Sequence, residues 1–162
     1  MMWRMISFTL LFQLTLISSG YGQQNSGRTI LTIGNLEDPN LALELYDKTA
    51  SQSSGEIIDV LILGFGTEAK KQSNQNNQDF LRSFSELSKK INSSGGSVFL
   101  VPGTQNWDFG KPDGFTSILD LQQKVDSLQL PNLHWVVRDA CSGPVEYELD
   151  EDHLLVVLDT QW

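Results

Sequence analysis

Three short apolar runs each close on a glycine, at Gly34, Gly64 and Gly103, and the loops beyond them are where chemistry would sit. Loops at the carboxyl ends of strands build the ligand site in open α/β sheets. Glu37, Asp38, Asp108 and Asp113 flank these loops and are candidates to hold one Ca²⁺ through oxygens. The alternative is that they are solvated or cap helices. Trp107 and Phe109 lie beside the third loop and are candidates to line a ligand pocket, with core packing as the plainer role. Gly64-Phe65-Gly66 opens like a dinucleotide fingerprint, but the third glycine and the ribose-binding acid are out of place, so it reads as a tight loop.

The remaining reactive side chains are few. His134 falls inside an apolar strand and reads as a packed histidine. His153 follows Asp150-Glu151-Asp152 and reads as an exposed hairpin residue. Cys141 has no His or Lys nearby in sequence to depress its pKa, which favours a structural thiol over a nucleophile. No Cys–His or Ser–His–Asp set is visible.

The elements that would carry these residues alternate. Strands are expected at 29–33, 57–63, 97–101 and 133–137, with a closing antiparallel pair at 145–149 and 154–158. The near-continuous apolar run at 57–63 fits a strand buried on both faces. Helices are expected from residue 40 to 50, with Asp38 as N-cap and Pro39 as first residue, and around Ile118, Leu121, Val125 and Leu128. Phe80, Phe84, Leu87 and Ile91 recur at intervals of 4, 3 and 4, one face of another helix. The polar stretch 70–78 reads as the loop leading into it. This order predicts an α/β fold, a mostly parallel sheet with flanking crossover helices.

The chain has 162 residues, 11 Lys+Arg and 20 Asp+Glu, for a formal net charge of −9. That suits one domain and argues against a nucleic-acid or anionic-membrane binder, which needs a basic face. A single Cys excludes an intramolecular disulfide, and two His leave little for a histidine-built metal site. Residues 1–22 have the three parts of a secretory signal peptide: Arg4, the apolar stretch Ile6–Ile17, and small residues before a cut after Gly22. The apolar stretch is shorter than the roughly 20 residues that span a bilayer. The expected product is secreted or periplasmic, comprising residues 23–162, with no transmembrane span after cleavage.

The strand ends, taken together, resemble the calcineurin-like metallophosphoesterases, in a secreted form associated with Bacteroidetes. Members carry Gly-Asp after the first strand, where this chain has Gly34-Asn35. They carry Leu-Gly-Asp-Asn after the second, where it has Leu63-Gly64-Phe65-Gly66. They carry Pro-Gly-Asn-His-Asp-Trp after the third, where it has Pro102-Gly103-Thr104-Gln105-Asn106-Trp107. Cys141-Ser142-Gly143-Pro144 resembles the family's Cys-Pro-Gly-Pro, and Leu158-Asp159-Thr160-Gln161-Trp162 its following strand. The resemblance covers residues 29–162. It implies the N-terminal half of the family's α/β/β/α sandwich, an incomplete, C-terminally truncated domain.

The departures carry the functional expectation. The resemblance implies two divalent transition metals held by Asp, Asn and His at positions that here are Asn35, Phe65, Gly66, Thr104, Gln105 and Asn106. Two adjacent cations need anionic ligands. Asn, Thr and Gln offer neutral oxygens and Phe offers none, and a ring at position 65 would occupy the metal volume. The expectation is a degenerate site with no cofactor and no catalytic residue: a pseudoenzyme, binding module or remnant. Two alternatives stay open. One is an active phosphoester hydrolase completed by further C-terminal sequence or a partner chain. The other is a small-ligand-binding α/β domain. Val145, Tyr147, Leu149, Leu155 and Val157 would form an uncovered apolar sheet face, inviting self-association. No ligand or protein partner is specified by the sequence.

Overall fold

The computed structural model describes residues 27–53, 55–65, 73–141 and 143–159, of which 73–77 by backbone alone. The signal-peptide reading of 1–22 lies outside these residues, as do Gly66 and Thr160-Gln161-Trp162. In chain order the elements are β1 (Arg28–Leu36), α1 (Leu41–Gln52), β2 (Ile57–Phe65), α2 (Ser73–Asn92), β3 (Val98–Val101), α3 (Gly114–Ser127), β4 (Leu133–Trp135), β5 (Val145–Glu148) and β6 (Leu154–Val157).

Strands β1 to β4 form one parallel sheet in the order of the chain, and β5–β6 form an antiparallel hairpin. A parallel sheet wound in one direction with right-handed crossovers puts every helix on the same face. That face holds the main core, where Ile58, Val60, Ile62, Val98, Leu100 and Trp135 meet Tyr46 of α1, Phe80, Phe84, Leu87 and Ile91 of α2, and Ile118 and Val125 of α3. The 4-3-4 spacing on α2 buries all four of its apolar side chains, each contributing about 1.5–3 kcal/mol. Lys89 and Lys90 in its last turn suit the helix dipole. Gly96, just beyond, allows the chain to pass under the Ile58 carbonyl, which a Cβ there would meet at 2.2 Å.

The hairpin covers part of the other face. Leu155 and Val157 pack with Phe99, Val101 and Val136 in a second core, flanked by Val145, Tyr147 and Leu149. The expectation that these five hairpin residues form an uncovered face is therefore corrected: they lie against β3 and β4. Exposed apolar residues lie on the opposite side of the hairpin, at Leu154, Val156 and Leu158, on the part of the sheet beyond it, at Ile30 and Leu63, and elsewhere at Leu41, Phe109 and Phe115.

Several boundaries move. The stretch 73–78, read as loop, belongs to α2. Helix α1 starts at Leu41, and Asp38 turns the chain just before it, its carboxylate accepting the Asn40 N–H at 2.9 Å. Strand β4 ends at Trp135, two residues early. Strands β1 and β2 run past their glycines, for a reason that shapes the site.

Candidate functional site

At the ends of β1 and β2, Asn35 (φ 49°) and Gly64 (φ 76°) both adopt the left-handed conformation, and pairing resumes beyond them at Leu36 and Phe65. Asn and Gly are the residues that enter this region most easily. The double kink breaks the period-2 alternation. Ile33 and Ile62 face the helices, and so do Leu36 and Phe65, three residues later instead of two. The Phe65 ring lies edge-on to Phe84 at 5.1 Å and to Trp135 at 6.2 Å. The expectation that this ring fills a metal volume is corrected: it is a core residue under α2.

The third loop closes on the same point. The Gly64 and Gly103 backbones approach so closely that a Cβ on Gly103 would stand 2.8 Å from the Gly64 Cα. Asn106 locks this contact. Its Oδ1 accepts the Gly103 N–H at 2.8 Å and the Phe65 N–H at 3.5 Å, and its Nδ2 donates to the Phe65 carbonyl at 2.9 Å. An amide can do this because it both donates and accepts. Asn35 lies alongside, its Oδ1 3.4 Å from where a Gly64 Cβ would be. Asn35 and Thr104 are exposed and Gln105 is half-buried.

The structure thus brings Asn35, Phe65 and Asn106 together, and separates the two aromatic candidates. Trp107 is buried, 5% exposed, and belongs to the main core. Its Nε1 donates to the Asp159 carboxylate at 2.8 Å. Phe109 is 52% exposed at φ 56°. A cavity of about 310 Å³ lies between the C-terminal end of α3 and β4, lined by Asp126, Gln129, Pro131, His134 and Arg138 among others; neither Trp107 nor Phe109 borders it. Trp107 thus takes the core-packing role, and Phe109 stands at the surface. Among the described residues no three His, Cys, Asp or Glu side chains gather into a cation site, so Glu37, Asp38, Asp108 and Asp113 are not assembled into one. Asp108 lies 3.7 Å from the Lys111 ammonium.

His134 stacks on Phe99 with ring centroids 4.9 Å apart and touches Tyr147. Burial, and then the Arg138 guanidinium, hold its imidazole below the ordinary value, against a weaker upward pull from Asp59. Burial likewise raises the Tyr147 phenol. His153 is exposed and its Nδ1 lies 2.7 Å from Asp150. Cys141 is exposed.

Sequence reasoning missed two polar groups. One is Asp159, 6% exposed beneath Trp107. The other is a chain of charges at the opposite end of the sheet. The fully buried Asp59 accepts the Ser97 N–H at 2.8 Å and pairs with Arg28, whose Nε reaches Asp150 in the hairpin turn at 2.9 Å. No local signal marks either, since the partners are 52, 31 and 122 residues apart.

No family model, curated protein or solved structure matches this chain. The metal question therefore rests on the donor set. Phe65 faces the core, the Asn106 amide is engaged with main chain, and Asn35, Thr104 and Gln105 bring no charge.

Proposed function

We propose that the chain is an exported, non-catalytic α/β domain on a metallophosphoesterase-like frame, acting as a binding module. The observation that carries this reading is the Asn106 clamp. The side chain at the heart of the strand-end rim is spent on holding Gly103 and Phe65 in place. Among the described residues, Asn35, Thr104, Gln105 and Asn106 are neutral side chains that neither ionise a water nor take its proton at neutral pH. Its partner is a small polar ligand or a protein, not nucleic acid, given the net charge of −9. Among the described residues no helix is long and apolar enough to cross a membrane.

Calorimetric titration of Mn²⁺ and of Zn²⁺ into the purified chain tests the reading. It expects no saturable heat at micromolar metal. Stoichiometric, saturable uptake would overturn it and restore a metal-dependent enzyme.

A further inference from the structure

The outer side of the hairpin is divided lengthwise. Strand β5 presents Glu146 and Glu148 there, and β6 with the residue just after it presents Leu154, Val156 and Leu158, which are 56%, 50% and 62% exposed. Among the described residues β6 pairs with β5 alone. The Leu149 N–H donates to the His153 carbonyl at 2.9 Å, which sets the phase of the ladder. Hydrogen-bonded pairs alternate along an antiparallel pair, so residues 155 and 157 turn their main-chain groups toward β5. Residues 154, 156 and 158 turn theirs toward the open edge. The same three residues therefore supply both the outward main-chain donors and acceptors and the exposed apolar side chains.

That arrangement is symmetric about Val156. We propose that two copies of the chain dimerise by antiparallel pairing of their β6 edges, with a two-fold axis at Val156. Leu154 then faces Leu158 of the second copy, Val156 faces its own equivalent, and a continuous four-stranded sheet forms. A two-fold interface must be self-complementary, and an apolar triplet at 154, 156 and 158 meets that condition in one register. Charge fits the same axis. Glu146 and Glu148 lie outboard on β5, so neither row of acids meets its copy across the seam. The acidic turn of each copy, Asp150-Glu151-Asp152, falls beyond the paired residues at opposite ends. An unprotected strand edge is the usual template for such pairing.

The inference rests on the binding-module reading for its role and on the hairpin alone for its test. The test uses the whole chain with the exposed Cys141 changed to Ser. A hydrogen-bonded antiparallel pair holds its Cα atoms about 5.5 Å apart, within disulfide reach. Val156→Cys should give a disulfide-linked dimer under mild oxidation, and Glu146→Cys, on the same face but outboard, should stay monomeric. In sedimentation without cross-linking, Val156→Arg should raise the dimer dissociation constant at least tenfold while leaving the thermal unfolding of the dilute protein unchanged. Because each copy carries a charge of −9, added salt should tighten the dimer. Dimer loss on adding salt, equal cross-linking at 146 and 156, or a strict monomer at the highest concentration would each overturn the proposal. None of these readings depends on metal binding or hydrolysis, so failure here and failure of the non-catalytic reading are told apart.

Discussion

The Asn106 Nδ2 donates to the Phe65 carbonyl at 2.9 Å, and this single bond ties the end of β2 to the loop after β3 across 41 residues of chain. Together with the bonds to Gly103 and Phe65 N–H it makes the strand-end rim a fixed part of the fold. Its side-chain amide is engaged with main chain on both the donor and the acceptor side.

Replacing it should show this. Asn106→Ala removes the partner of the Gly103 N–H and the Phe65 carbonyl, and should cost about 1–3 kcal/mol. Asn106→Asp keeps the acceptor and loses the donor, setting a carboxylate against a carbonyl, and should also destabilise. Urea denaturation of both variants measures it; unchanged midpoints would mean the clamp is incidental.

Trp107 and Asp159 make a second tie. Trp107→Phe keeps an aromatic side chain but removes the pyrrole half of the indole, taking the N–H away from a buried carboxylate and leaving a small void beside it. A hydrogen bond to a charged group is worth about 1.5–3 kcal/mol. The same denaturation experiment should show a loss in this range, and a loss below about 0.5 kcal/mol would argue that Asp159 is held by its other interactions.

The buried Asp59 should be the most sensitive charge. Asp59→Ala leaves the Arg28 guanidinium, itself 7% exposed, without its buried partner. Breaking such a pair costs about 3–5 kcal/mol. Arg28→Met with Asp59→Leu together should cost much less than Asp59→Ala alone. A double variant as damaged as the single one would show that the ion pair, not the orphaned charge, carries the effect.

Acid should act through two groups. His134 has a lowered folded value, so the unfolded chain takes up its proton first as pH falls. Stability should therefore drop as pH passes below about 6.5, down to the folded value. Asp150 is lowered chiefly by its hydrogen bond with His153, so its contribution is present above the ordinary carboxylate range and lost as pH falls through its folded value. Thermal melts at pH 7.5, at pH 5.5 and in the range below about 4 separate them. His134→Phe should flatten the change between 7.5 and 5.5 and leave the more acidic one; an unaltered profile would exclude His134 as its source.

Much of the fold is legible in the chain. Period 3.6 at Phe80, Phe84, Leu87 and Ile91 and the apolar run at 57–63 place a buried helix on a buried strand, as found. The alternation of elements gives the parallel sheet and its flanking helices, but not the strand order. The site is legible only in location. Asn35 and Gly64 invert the alternation at the strand ends, and no periodic pattern foretells on which face Phe65 emerges. The asparagine-rich stretch before Asp79 looks like loop because its helix is polar there and the apolar stripe begins only at Phe80. The hairpin residues look uncovered because their cover, Phe99, Val101 and Val136, comes from the back of a sheet whose faces cannot be told apart before its winding is known.

The most direct test of a non-catalytic rim is the initial rate of aryl-phosphate hydrolysis by the purified chain with Mn²⁺ or Zn²⁺ supplied in excess. The expected rate equals that of the metal-containing buffer. A rate well above it that survives repurification and disappears in a variant of this chain, such as Asn35→Ala, would contradict the account.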